Sequence, residues 1–98
     1  MTIKQKIGTD EILLQLAEES AEMAQAALKL RRAITGMNPT PMSVEECADN
    51  LIEEISDVVV CVSALGLYDE ALDEINKTAT AKYKRWKERL GIAGRKKK

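Results

Sequence analysis

Apolar residues recur at helical spacing along most of the chain. Between Thr9 and Ile34 they fall at Ile12, Leu16, Met23, Ala27, Leu30 and Ile34, close to the roughly 3.6-residue period of one helix face. Asp10 and Glu11 suit the first turn, where unpaired N–H groups favour negative charge. Gly36 and the stretch Met37-Asn38-Pro39-Thr40-Pro41 end this helix in a loop. Ser43 opens a second helix, and Glu46 three residues later completes a capping-box pattern. Its stripe is Val44, Ala48, Leu51, Ile55, Val58, Val59 and Val62, and it stops near Gly66. Val58-Val59-Val60 alone would suit a strand, but the length and period of its surroundings outweigh that. A third helix is predicted from about Asp69 to Leu90, with a break allowed near Asn76, a stripe of Ala79, Tyr83, Trp86 and Leu90, and a stop at Gly91. The expected fold is all-α, an antiparallel helical bundle forming one domain over residues 1–92. Residues 93–98 are expected to be a disordered basic tail.

Composition removes several alternatives. With 98 residues, the chain has room for one small core and little to spare. Hydrophobic content of 45% and charged content of 32% describe a globular chain rather than a disordered one. A net charge of −1 argues against a nucleic-acid surface as the main purpose. No apolar run reaches the roughly 18 residues of a membrane span, and the N-terminus lacks a signal-peptide pattern. Cys47 and Cys61 sit fourteen residues apart on one predicted helix, about 21 Å along its axis, too far to bridge. Free thiols fit a cytoplasmic protein. There is no histidine, which excludes histidine triads and the usual zinc and non-haem iron sites. Any chemistry must run on carboxylates, lysines and arginines.

Four carboxylates stand out. Glu19 and Glu22 are three residues apart on the first helix, and Glu54 and Asp57 three apart on the second, so each pair shares a helix face. Both pairs interrupt apolar-periodic segments, where an unpaired carboxylate is costly to bury and a hard divalent cation offsets the cost. On a helical wheel the pairs flank the stripes in the same rotational sense. In a hairpin this turns both toward the seam between the helices or both away from it, and the pattern leaves that choice open. Register adds more. The residue numbers of Glu22 and Glu54 add to twice 38, as do those of Glu19 and Asp57, and Asn38 lies in the middle of the predicted loop. All four acids should therefore lie at one level, halfway along both helices. A solvated acidic face remains the bland alternative. Glu45, Glu46 and Glu53 fit surface, cap and dipole roles, as does Glu18, which could also assist the neighbouring ligands.

At these residues the chain resembles the MazG-like, all-α nucleotide pyrophosphohydrolases, a family marked by EExxE followed after a loop by ExxD. Glu18-Glu19-Ser20-Ala21-Glu22 matches the first block and Glu54-Ile55-Ser56-Asp57 the second. Gln15-Leu16-Ala17, Asp57-Val58-Val59 and Lys82-Tyr83-Lys84-Arg85-Trp86 also read like the family, and the likeness covers residues 9 to 90. The gap between the blocks is longer than usual because of the loop around Pro39 and Pro41. The resemblance implies magnesium, or manganese, bound by Glu19, Glu22, Glu54 and Asp57. It implies cleavage of a nucleoside triphosphate to a monophosphate and pyrophosphate, with Glu18 or Glu22 orienting or deprotonating the attacking water. Lys82 and Arg85 are expected to contact substrate phosphates. Trp86, a base-stacking candidate, more often belongs to a core at this spacing. Asn50, one turn before Glu54, is a candidate for contacts near the site. No membrane and no specific nucleic acid are expected as partners.

Family members form dimers or tetramers. A homo-oligomer completing four-helix bundles is therefore expected, helped by the small residues Ala21, Ala24, Ala26 and Ala27. Two other readings compete. A non-catalytic helical interaction module would show no stabilisation by metal. A di-iron bundle would need the Glu-x-x-His motifs that a chain without histidine cannot have.

Overall fold

A computed structural model of the chain describes residues 1–38, 40–67 and 70–92. Pro39, Asp69 and the expected tail lie outside the described residues. Three helices account for nearly all of it: α1 (Ile3–Thr35), α2 (Val44–Leu65) and α3 (Ala71–Arg89), with no strand among the described residues. They form two compact units, Met1–Gly66 and the part from Leu67 onward.

In the first unit, α1 and α2 pack as an antiparallel hairpin. The start of α1 meets the end of α2, where the Lys4 ammonium donates to the Gly66 carbonyl at 3.3 Å. α1 begins earlier than its stripe predicts. Thr2 caps it by accepting from the Gln5 N–H at 3.0 Å, and the Thr2 N–H donates back to Gln5 Oε1 at 2.8 Å. This Thr-x-x-Gln box is a start signal as clear as the one at Ser43. Gly8 then breaks the helix with φ 87° and ψ 157°, a conformation essentially reserved for glycine. The regular helix resumes at Thr9. At the other helix junctions the expected devices are present. Gly36 adopts a left-handed conformation and donates to Arg32 at 2.9 Å, and Ser43 and Glu46 form both bonds of their capping box. Val58-Val59-Val60 is helical.

The seam between the helices follows a strict alternation of three and four residues. On α1 it runs Ile12, Leu16, Glu19, Met23, Ala26, Leu30 and Ala33, each buried or half-buried. On α2 it runs Cys47, Leu51, Glu54, Val58, Cys61 and Leu65, again all buried or half-buried. Alternating three and four residues gives the 3.5-residue repeat of left-handed helix pairs. Ile12, Ala26, Cys47, Cys61 and Leu65 are the buried core, and both thiols are free.

This corrects part of the predicted stripe. Ala27, Ile34, Ile55 and Val59 are exposed, Ile34 to 63% and Val59 to 47%. Each follows a seam residue by one position, which rotates it about 100° away. The reading from hydrophobicity was drawn off the seam because the seam itself holds alanine, cysteine and two glutamates. In antiparallel helices, rows displaced one residue past the seam turn to the same side of the hairpin. Leu13, Ala17, Ala24 and Ala27 of α1 thus share one exposed side with Ile52, Ile55 and Val59 of α2.

In the second unit, α3 runs without the break allowed near Asn76. The Thr80 hydroxyl instead donates to the Asn76 carbonyl at 2.9 Å within a continuous helix. Glu70 precedes the helix without a side-chain cap. Gly91, with φ 77°, ends it: its N–H donates to the Glu88 carbonyl at 3.0 Å and that of Ile92 to Lys87 at 2.9 Å. These two bonds make a Schellman motif.

Candidate metal centre

The apolar seam of the hairpin is interrupted at one level by Glu19 from α1 and Glu54 from α2. Glu22 stands one turn beyond Glu19. One carboxylate oxygen from each of these three residues lies within 4.8 Å of the others. Of the choice left open by the sequence pattern, Glu19 and Glu54 turn into the seam, with Glu22 at its edge. Glu19 and Glu54 are half-buried, while Glu22 is exposed at the edge.

Three like charges in this space repel one another. The charge of the Glu19 carboxylate beside Glu22 raises the Glu22 pKa above its ordinary value, with Glu54, desolvation and Asp57 adding to the effect. Desolvation raises the Glu54 pKa first, then the charges of Asp57, Glu19 and Glu53, with the Lys29 ammonium acting the other way. Burial likewise raises the Cys61 thiol, followed by the charges of Glu19 and Asp57. Two oxygens are left unsatisfied. Oε1 of Glu19 and Oε1 of Glu54 are both shielded from solvent and neither has a hydrogen-bond partner. Such groups are rare in folded proteins, since each carries an uncompensated desolvation cost. The other Glu19 oxygen is held, accepting from Gln15 Nε2 at 2.8 Å.

An all-oxygen donor set with no nitrogen or sulfur matches a hard cation such as magnesium or manganese. The remaining predicted residues are distributed unevenly. Asp57 is exposed and outside the trio, although its charge reaches Glu22 and Glu54. Asn50 is half-buried on α2, one turn before Glu54. Glu18 is exposed, one turn before Glu22 on the same flank of α1, and outside the trio. Lys82, Arg85 and Trp86 are exposed on α3 in the second unit, Trp86 to 57%. Trp86 is therefore not in a core of the described residues.

Two residues went unassigned on sequence grounds. Gln15 precedes Glu19 by one turn and fixes its carboxylate, which the four-residue spacing could have suggested. Lys29 follows Glu22 by two turns, on the same face, and is half-buried with its charge felt at Glu54. The same seven-residue spacing makes it readable. No family model, curated protein or solved structure gives a significant match to this chain.

Proposed function

We propose that the chain is a magnesium-dependent nucleotide pyrophosphohydrolase of the MazG-like kind. It would split a nucleoside triphosphate between its α- and β-phosphates to give a monophosphate and pyrophosphate. The observation that carries this reading is the pair of solvent-shielded, unpartnered oxygens on Glu19 and Glu54, two carboxylates brought together in an otherwise apolar seam. A solvated acidic face has no reason to place them there. The EExxE and ExxD blocks and their resemblance to that family supply the reaction.

Glu19, Glu54 and Glu22, with Asp57 at the edge, are the ligands in this reading. Gln15 holds the Glu19 carboxylate in place. A bound magnesium ion screens phosphate charge and lowers the pKa of a water. Glu22 is the better placed of the two proton-acceptor candidates, because it belongs to the trio and stays open to solvent. Water oxygen bonds to phosphorus, the P–O–P link breaks, and the water proton passes to the carboxylate as pyrophosphate leaves. Glu18, on the same flank as Glu22, lies outside the trio. Lys29, two turns after Glu22 on the same face, is a source of fixed positive charge for the phosphates, the role that the resemblance gives to Lys82 and Arg85.

The hairpin side bearing Leu13, Ala17, Ala24, Ile52, Ile55 and Val59 supports the homo-oligomer. It is exposed, apolar and rich in small residues, opposite the edge where Glu22 and Asp57 lie. A second copy packed there completes a four-helix bundle and leaves the acids accessible. Ile52→Glu with Ile55→Glu should convert the oligomer to a monomer in sedimentation equilibrium. An unchanged mass would remove this face from consideration.

The reaction is tested by incubating the protein with a panel of ribo- and deoxynucleoside triphosphates, with magnesium or with chelator. Pyrophosphate and monophosphate should appear only with magnesium. Release of inorganic phosphate would mean a different bond is cut. No turnover, combined with no effect of magnesium on melting, would favour the interaction module.

A further inference from the structure

The near-zero net charge conceals a steep division. Residues 1–76 carry 5 Lys and Arg against 15 Asp and Glu, a net −10, whereas residues 77–98 carry 10 against 1, a net +9. Charge split this way along a chain points to a polyanionic partner for the basic part.

On α3 the cations form two rows, on either side of the apolar stripe. At about 100° per residue, Lys82, Arg85 and Arg89 fall on one flank, and Lys77, Lys84 and Lys87 on the other. The first row holds the two phosphate contacts of the proposed reaction. The second has no role in it. Between them Tyr83 is 65% exposed, and the Lys87 ammonium lies over its ring, 5.9 Å from the centroid. The turn at Gly91 brings Ile92 back beside them. Thr80, Tyr83, Lys84, Lys87, Glu88 and Ile92 line a shallow groove of about 180 Å³ there.

We propose that the Lys77, Lys84 and Lys87 row, with Tyr83, binds single-stranded nucleic acid without sequence preference. A ring flanked by lysines offers a stacking platform for a base and charges for the phosphates on either side, the two elements such binding needs. The apolar stripe is too narrow for a helix lying in a membrane surface. Its residues Leu72, Ile75, Ala79, Tyr83, Trp86 and Leu90 span only about 80° of the wheel. The absence of a bidentate base-reading arrangement in the groove is why no sequence preference is assigned.

The probe is a 20-residue oligothymidylate with a 5′-hydroxyl and a fluorophore, followed by anisotropy in chelator so that the metal centre takes no part. Binding should weaken with salt, with the logarithmic slope reduced by about 2 in Lys77→Gln/Lys84→Gln/Lys87→Gln, at about 0.7 per lost phosphate contact. Tyr83→Ala should weaken binding roughly tenfold. Circular dichroism checks that each variant keeps its helices, and the salt slope of the unmodified protein needs no variant. Any of four results would overturn the proposal: no binding at 50 mM salt, an unchanged slope in the triple variant, tighter binding to a duplex of equal length, or capture only by phosphatidylserine vesicles.

Discussion

Glu54→Gln is expected to reduce pyrophosphate release by about 100-fold or more, to preserve the helical spectrum, and to raise the melting temperature of the metal-free protein. The three results share one cause. Glu54 places a carboxylate in the seam at a level where Glu19 and Glu22 already bring negative charge. Without a cation, its desolvation and the charges of Asp57 and Glu19 act against the fold. Glutamine fills nearly the same volume without the charge, so the apo hairpin should gain stability. The same change removes a hard, anionic oxygen ligand. Loss of groups that merely orient metal ligands commonly costs 10- to 100-fold in affinity or activity, and loss of a ligand should cost at least as much. Glu53→Gln is the matched control: it removes one charge from the same helix, but at an exposed position outside the trio. Equal losses in the two variants would reduce the effect to general electrostatics. Loss of helicity in Glu54→Gln would make Glu54 a structural residue.

The helices were legible because their punctuation is local. Ser43 with Glu46, Gly36, Gly66 and Gly91 act within a few residues, and each is used as its residue type demands. The box at Thr2 and Gln5 was equally local, but no long apolar stripe precedes Gly8 to draw attention to it. The seam was harder. Ala26, Cys47, Glu19 and Glu54 weigh little or negatively in a hydrophobic stripe, yet they occupy the interface, while the larger Ile34, Ile55 and Val59 do not. A strict alternation of three and four residues through Glu19 and Glu54 identifies the seam better than side-chain size. That alternation also explains the site. Reading Glu19 and Glu54 as interface positions turns the acids inward, the choice that a wheel centred on the bulky residues left open. The shared level of Glu22 and Glu54 followed from the loop position alone. The standing of Asp57 outside the trio did not, because it depends on side-chain direction rather than on register.

Magnesium and pH should act on the stability of this protein in opposite senses. Glu22 and Glu54 both have pKa values raised above the ordinary 4.5. The folded state then binds more protons than the unfolded chain across a window that opens near that value and closes at the raised ones. Stability therefore falls as pH rises through the window, and the full cost is present above it. In chelator, melting temperature should drop from the acidic to the neutral side of this range, and the drop should be smaller in Glu54→Gln. A divalent cation requires the same carboxylates deprotonated, so its affinity rises as protons leave. At a magnesium concentration 100 times the dissociation constant, binding adds about 2.7 kcal/mol. For a chain of this size that is roughly 10–20 °C in melting temperature. The gain should grow toward neutral pH, disappear in chelator, and shrink sharply in Glu54→Gln. Melting that rises with pH in chelator across this window, or a magnesium effect that survives Glu54→Gln intact, would place the cation elsewhere. The interaction-module reading forecasts no magnesium effect at any pH, because nothing in it binds the native state more tightly than the unfolded chain.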